Sequence, residues 1–163
     1  MGVDNKDVLK LKKPFVVYQG HHGDVGAHIA DVILPGAAFT EKSATFVNTE
    51  GRPQLARQAT FPPGEAKEDW KIIRAFSEYV NNKLPFDDLD GLRNKLYEDF
   101  PHLSFIDKIK KPRWSRFGTK GKIEKFELHS TIQNFYMTCS ISRSSETMSM
   151  CVDQINNKKL VAE

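Results

Sequence analysis

The sequence predicts an α/β chain in which short parallel strands are completed by another chain and followed by packing helices. Three observations predict it. Two short runs, Phe15–Tyr18 and Asp31–Leu34, are largely apolar without polar alternation, the pattern of strands buried on both faces. A glycine-punctuated segment of about a dozen residues joins them, near the minimum that connects parallel neighbours. From Pro62 onward, apolar residues recur at helical spacing instead.

In chain order, Gly20 and Gly23 break the first strand, Asp24 caps a short helix over Val25–Ala30, and Pro35-Gly36 stops the second strand. This spacing allows a parallel pairing without forcing it. Thr45-Phe46-Val47 is a third strand, and Asn48-Thr49-Glu50-Gly51 is a turn in which Gly51 is free to take positive φ. Two or three short strands do not make a doubly covered sheet, so an incomplete domain that docks its strands against another chain is expected.

Pro62-Pro63-Gly64 is a break. Behind an acidic first turn of Glu65, Glu68 and Asp69, the residues Trp70, Ile73, Phe76 and Val80 form a stripe predicted to be core, ending at Asn81-Asn82. Asp87 or Asp88 caps a second helix, striped by Leu89, Leu92, Leu96 and Phe100 and closed by Pro101. Amphipathic stripes of this kind are what surface helices show, and they are read as packing faces, not cofactor boxes. Near the end, Ser140 or Ser142 caps a helix with Ile141, Met148, Val152 and Ile155 along one side, Arg143 and Glu146 on its polar side, and fraying at Asn156-Asn157. The organisation expected is a strand–helix–strand part over 1–61, a helical part over 62–106, a basic loop over 107–126 and a C-terminal segment with a helix over 127–163.

Lys108 to Lys125 holds eight lysines and arginines against one acid, so a chain of net charge +3 is locally basic and otherwise acidic. With Trp114 and Phe117 interleaved, the segment is read as an arm lying on an acidic partner. A nucleic-acid role is not expected, because no binding fold surrounds it. No run approaches the roughly 18 apolar residues of a membrane span, so no direct membrane insertion is expected. The first fifteen residues are lysine-rich with two aspartates, no arginine and no apolar core, and resemble neither a secretory signal nor a transit peptide.

Two cysteines, Cys139 and Cys151, have no C-x-x-C spacing and cannot ligate an iron–sulfur cluster alone. A largely helical segment between them separates them by up to roughly 18 Å, beyond the ~7 Å limit for a bridge, so both are expected to be reduced and structural. His21, His22, Asp24 and His28 crowd into eight residues, and Asp24 and His28 share a face if the segment is helical. Histidines in a glycine-rich turn more often bond backbone and water, so no metal is assigned to them. No nucleophile elbow, phosphate loop or H-E-x-x-H occurs, and no catalytic residue is assigned.

The stretch ADVILPG, followed by EKSATFVNTEGRPQ, resembles the closing part of the molybdopterin-oxidoreductase fold, whose members carry ADxxLP and then E-x-x-G-T-x-x-N-x-E-G-R-x-Q. GHHGDVGAHIADVILPGAAFTEKSAT is similar, more narrowly, to the large iron–sulfur subunits of mitochondrial NADH:ubiquinone oxidoreductase, respiratory complex I. Glu68–Ala75 and Phe135–Arg143 resemble the tail of the same subunits, and the likeness is weakest from about His102 to Gln133. Ala44 stands where molybdenum enzymes usually have glycine, which hinders close backbone approach to a pterin.

The resemblance implies a C-terminal fragment of a molybdopterin-oxidoreductase-like domain, acting as a structural, non-redox part of the complex I peripheral arm. It implies a separately encoded or separately folded piece that completes a split large subunit. The iron–sulfur clusters and FMN would lie in partner subunits, and the partners would be the cluster-bearing remainder and other peripheral-arm subunits. The location implied is the mitochondrion, peripheral on the matrix side of the inner membrane. Two alternatives remain: a catalytic molybdopterin oxidoreductase fragment in which Asn48, Glu50, Arg52 and Gln54 line a pterin nucleotide, or a small binding protein using the basic loop.

Overall fold

The structure, a computed structural model, describes residues 14–111, 115–116, 118–122, 125, 127, 132 and 134–161. The lysine-rich start, Trp114, Phe117 and most of 123–133 lie outside the described residues. Two compact units divide the chain, one from the described residues of 19–21 and 32–113, the other from those of 1–18, 22–31 and 114–163.

Strand β1 is Val17–Gly20, α1 is Val25–His28 and β2 is Val32–Pro35. β1 and β2 form a two-stranded sheet. Asp31 N–H donates to Val16 O at 2.8 Å and Gly36 N–H to Gly20 O at 2.9 Å. These bonds advance in the same direction along both segments, as in a parallel pair. Asp24 caps α1 as predicted, its Oδ1 accepting from Val25 N–H at 2.7 Å, but the helix is a single turn ending at His28 and not Ala30. The first strand also begins two residues later than its apolar run. β1 is buried on both faces at Tyr18 and Gln19, but Phe15 is 73% exposed and Val17, Val32 and Ile33 are exposed too, so within this chain the burial predicted on both faces is met only at the middle of β1. Their apolar composition exceeds what the described residues can cover.

The second sheet is an antiparallel hairpin of β3, Ala44–Val47, and β4, Pro53–Ala56. β4 was not legible because it opens on proline, which cannot donate to a ladder. Its Pro53 is nevertheless fully buried, opposite Val47. The turn behaves as its residues demand: Asn48 Oδ1 accepts from the N–H groups of Glu50 and Arg52, both at 3.0 Å, and Gly51 takes φ +80°.

Helix α2, Asp69–Tyr79, stops before Asn81, whose φ of +54° is the left-handed close expected of the Asn81-Asn82 pair. The stripe predicted to be core is not core. Ile73, Phe76 and Val80 are exposed, and the buried residues of α2 are Arg74 and Ser77. Arg74 explains the inversion. Its Nε donates to Phe86 O at 2.7 Å, and its two terminal nitrogens reach Glu78 at 3.0 Å and Asp87 at 2.5 Å, folding the 80–88 connection over that side. The guanidinium is held above its ordinary value: burial alone would lower it, and the bonds to Glu78 and Asp87 outweigh that. Ser77 Oγ, donating to Arg74 O at 2.6 Å and accepting from Leu84 N–H at 3.1 Å, secures the same connection.

Asp88 caps α3, Leu89–Asp99, with Oδ1 accepting from Gly91 N–H at 2.6 Å, and Pro101 closes it as predicted. In the other unit, the single helix predicted after Ser140 is two: α4, Ser140–Arg143, and α5, Glu146–Val161. Neither Ser140 nor Ser142 is a cap. Cys139 holds the cap position of α4, with its N–H donating to Ser142 Oγ at 3.1 Å, and Ser145 Oγ accepts from Met148 N–H at the start of α5. Four serines compete for backbone groups over 140–145, which breaks the helix there. Asn156-Asn157 does not fray α5, which runs on to Val161.

Candidate functional site

Each polar cluster is built from the backbone outward. Asp69, the first residue of α2, accepts from Gln19 Nε2 at 2.9 Å with one carboxylate oxygen and pairs with Lys42 through the other. A Cβ added at Gly36 would lie 3.3 Å from the same carboxylate. Beside it, Ala37 N–H donates to Lys67 O and Lys67 N–H to Pro35 O, a parallel bridge that no sequence pattern announced. Asp69 therefore ties three stretches far apart in sequence around a core of small residues, Ala37, Ala38 and Ala66. Asp69→Ala leaves the buried Gln19 carboxamide without its acceptor. The expected cost to local stability is about 2 kcal/mol, read as faster amide exchange over 66–72.

In the other unit, Asp24 and Arg143 form an ion pair, and Arg143 Nη1 donates to Met137 O at 3.2 Å. Sequence reading placed Arg143 on the polar side of a helix and missed this partner. Burial alone pushes the Asp24 carboxyl up, and the bonds from Arg143 and Val25 N–H outweigh it, leaving the group below its ordinary 3.8. With a depressed folded-state value, the contribution to stability is complete above about pH 4 and is lost as pH falls through the folded value. A carbon-detected carboxyl titration is expected to find Asp24 below its ordinary value, and Arg143→Gln is expected to move it up.

The histidine cluster does not assemble. His21 and His28 are exposed, His22 O accepts from Tyr18 Oη at 2.9 Å, and Asp24 is committed to the cap and to Arg143. Among the described residues no three His, Cys, Asp or Glu side chains gather as metal ligands would. Both cysteines are free thiols. Cys139 is exposed, not buried as a structural cysteine would be, because it sits at the cap of α4; hydrogen bonding with Ser142 lowers its thiol below the ordinary range.

The four residues set against a pterin all lie on the β3–β4 hairpin. Asn48 spends its amide oxygen on its own turn, and Arg52 donates Nη1 to Asp107 O at 2.9 Å and contacts Glu50 at 3.4 Å. Gln54 stands on β4 opposite Phe46. Asn48 and Arg52 thereby stabilise the turn and tie it to Asp107, and Ala44 carries a Cβ that glycine would not.

What the unit of 19–21 and 32–113 does present is apolar surface. Ile73, Phe76 and Val80 project from α2, with Phe76 54% exposed. A groove of about 390 Å³ runs between the β3 segment and α3, walled by Phe46, Trp70, Leu89, Leu92 and Leu96. Apolar surface grouped in this way is the kind that partners cover.

Residues 1–79 match the family model of molybdopterin oxidoreductase, and residues 111–151 that of the C-terminal region of the NADH-ubiquinone oxidoreductase G-type chain. The chain is 52% identical to the mitochondrial NADH-ubiquinone oxidoreductase 78 kDa subunit of Candida albicans, over 96% of this chain and 23% of that protein. The chain matches this subunit over nearly all of its own length. Two further relatives are the 75 kDa subunit of Reclinomonas americana, 47% identical over 93% of this chain and 22% of its own length, and the mitochondrial 78 kDa subunit of Neurospora crassa, 50% identical over 93% and 22%. The chain thus spans under a quarter of the length of the relatives it matches. The α/β architecture, with one small parallel and one small antiparallel sheet, is that of a molybdopterin-oxidoreductase-like fragment. No helix among the described residues is long and apolar enough to cross a membrane.

Proposed function

We propose that the chain is a structural, non-redox part of the peripheral arm of respiratory complex I, which passes electrons from NADH to ubiquinone and couples this to proton pumping. The observation that carries the reading is the 52% identity to a 78 kDa subunit of NADH-ubiquinone oxidoreductase over 96% of the chain. By itself the chain catalyses nothing. Its role is to complete the α/β domain beside the cluster-bearing part of the large iron–sulfur subunit, which is its principal partner, with other peripheral-arm subunits around it. The exposed strands and the outward stripe of α2 support docking of this kind. We place the assembly on the matrix side of the inner mitochondrial membrane, since two of the relatives are named as mitochondrial.

Iron–sulfur clusters and FMN belong, in this reading, to the partner subunits. Two cysteines are too few for a cluster that takes four thiolates, and Asn48 and Arg52 are engaged within the hairpin turn and with Asp107. The finer reading, that the cluster-bearing remainder is a different polypeptide, is tested by isolating the native assembly in mild detergent and weighing its denatured chains. Co-migration with a cysteine-rich protein lacking its own C-terminal domain supports it. A single polypeptide carrying both parts refutes the split and leaves the scaffold role standing, whereas stoichiometric molybdenum in the assembly refutes the non-redox role.

A further inference from the structure

We propose that the groove between β3 and α3 receives an extended segment from outside this chain, which adds a strand along the open edge of Ala44–Val47 and presents a carboxylate to Arg93. It rests on the preceding reading only in taking the occupant from the same assembly.

The first observation is the ladder. Asn48 N–H bonds Arg52 O at 3.2 Å, and in an antiparallel pair hydrogen-bonded and non-bonded positions alternate. Phe46 opposite Gln54 and Ala44 opposite Ala56 are therefore the bonded pairs. Pro53, with no N–H, falls opposite Val47 in a non-bonded position, consistent with this phase. The N–H and C=O groups of Thr45 and Val47 are then directed away from β4, and among the described residues this sheet has no third strand to meet them.

The groove lies on that edge. Successive side chains of a strand point to opposite faces, so a cleft over one face touches alternate residues. Here Ala44, Thr45 and Phe46 of β3 line it consecutively, continuing from Lys42 and Ser43, which places it along the backbone edge of β3 up to Phe46. Leu89, Leu92 and Leu96 of α3 supply an apolar wall for the alternate side chains of an added strand.

The chemistry of the occupant is set by Arg93. This residue stands on the same face of α3, and its Nε is buried with no hydrogen-bond partner. The two acids of the groove are already engaged: Asp69 by Gln19 and Lys42, Glu68 by Trp70 Nε1 at 3.1 Å and Lys71 at 2.8 Å. A buried guanidinium donor without an acceptor is costly, and a carboxylate is the group its fork geometry matches.

The test is amide exchange of the full chain in its native assembly and after isolation from it. Thr45 and Val47 are expected to exchange at least about tenfold more slowly in the assembly, while Phe46, bonded within the hairpin, changes little. Arg93→Met is expected to remove about tenfold of that protection in the assembly, and Arg93→Lys less. An unchanged Phe46 rate in the isolated variants shows that the hairpin is intact. Equal exchange of Thr45 and Val47 in both states overturns the proposal, as does protection in the isolated chain that grows with its concentration, which would identify a second copy as occupant. If subunits of NADH-ubiquinone oxidoreductase co-purify while Thr45 and Val47 stay unprotected, this proposal falls and the scaffold role stands. Protection in an assembly lacking those subunits gives the reverse.

Discussion

Replacing Ile73 and Phe76 together by aspartate is expected to leave the isolated chain folded and to abolish its entry into the native assembly. Both side chains are exposed in the chain, so two carboxylates there are hydrated and cost the fold little. The same positions buried against a partner would hold two unpaired charges in an apolar contact, a penalty of several kcal/mol, and occupancy should fall by at least about 100-fold. Circular dichroism of the isolated variant checks the first half, and quantitative co-isolation with wild-type chain as competitor checks the second. Conversion of Phe76 alone to leucine, which keeps the apolar surface, should retain most of the binding. A double variant that assembles normally would show that this face of α2 is not covered.

The second large effect is expected at Arg74. Arg74→Met fills a similar volume but removes the donor to Phe86 O and both carboxylate contacts. The carboxylates of Glu78 and Asp87 are themselves exposed, and ion pairs to exposed groups contribute little. Most of the loss therefore comes from the Phe86 carbonyl and from the buried donor that secures the 80–88 connection. Amides over 80–88 are expected to exchange about tenfold faster in the variant, with α3 beyond its first turn unaffected. Glu78→Gln, which alters only an exposed partner, should change these amides by much less. Equal effects from the two substitutions would mean that the ion pair, and not the carbonyl contact, holds the connection.

Local signals were legible where one residue type has one job. Asp24 and Asp88 cap helices, Gly51 turns a hairpin, Asn81 closes α2 and Pro101 closes α3, all by chemistry confined to a few neighbouring residues. Burial was not legible. Periodicity reports that Ile73, Phe76 and Val80 share a face, yet it does not say what covers that face, and here the described residues do not. The same reason accounts for the exposed strands: sequences written for both-face burial remain so written when the covering layers come from elsewhere. Long-range polar pairs were also invisible. Asp24 meets Arg143 across 119 residues and Gln19 meets Asp69 across 50, and no spacing rule reaches so far. Family motifs were the one signal that carried function. Ala30 to Gln54 pointed to the molybdopterin-oxidoreductase fold and Gly20 to Thr45 to the complex I subunits, and the family model over 1–79 and the 52% identity agree with both.

The most direct measurement of the central claim is NADH:ubiquinone oxidoreductase activity in material isolated through this chain from native membranes under mild detergent. The account predicts that the activity co-elutes with the chain and with iron–sulfur protein in fixed proportion, and that the Ile73 and Phe76 double aspartate variant elutes without either. Recovery of the wild-type chain alone, with no NADH oxidation above background, would contradict it.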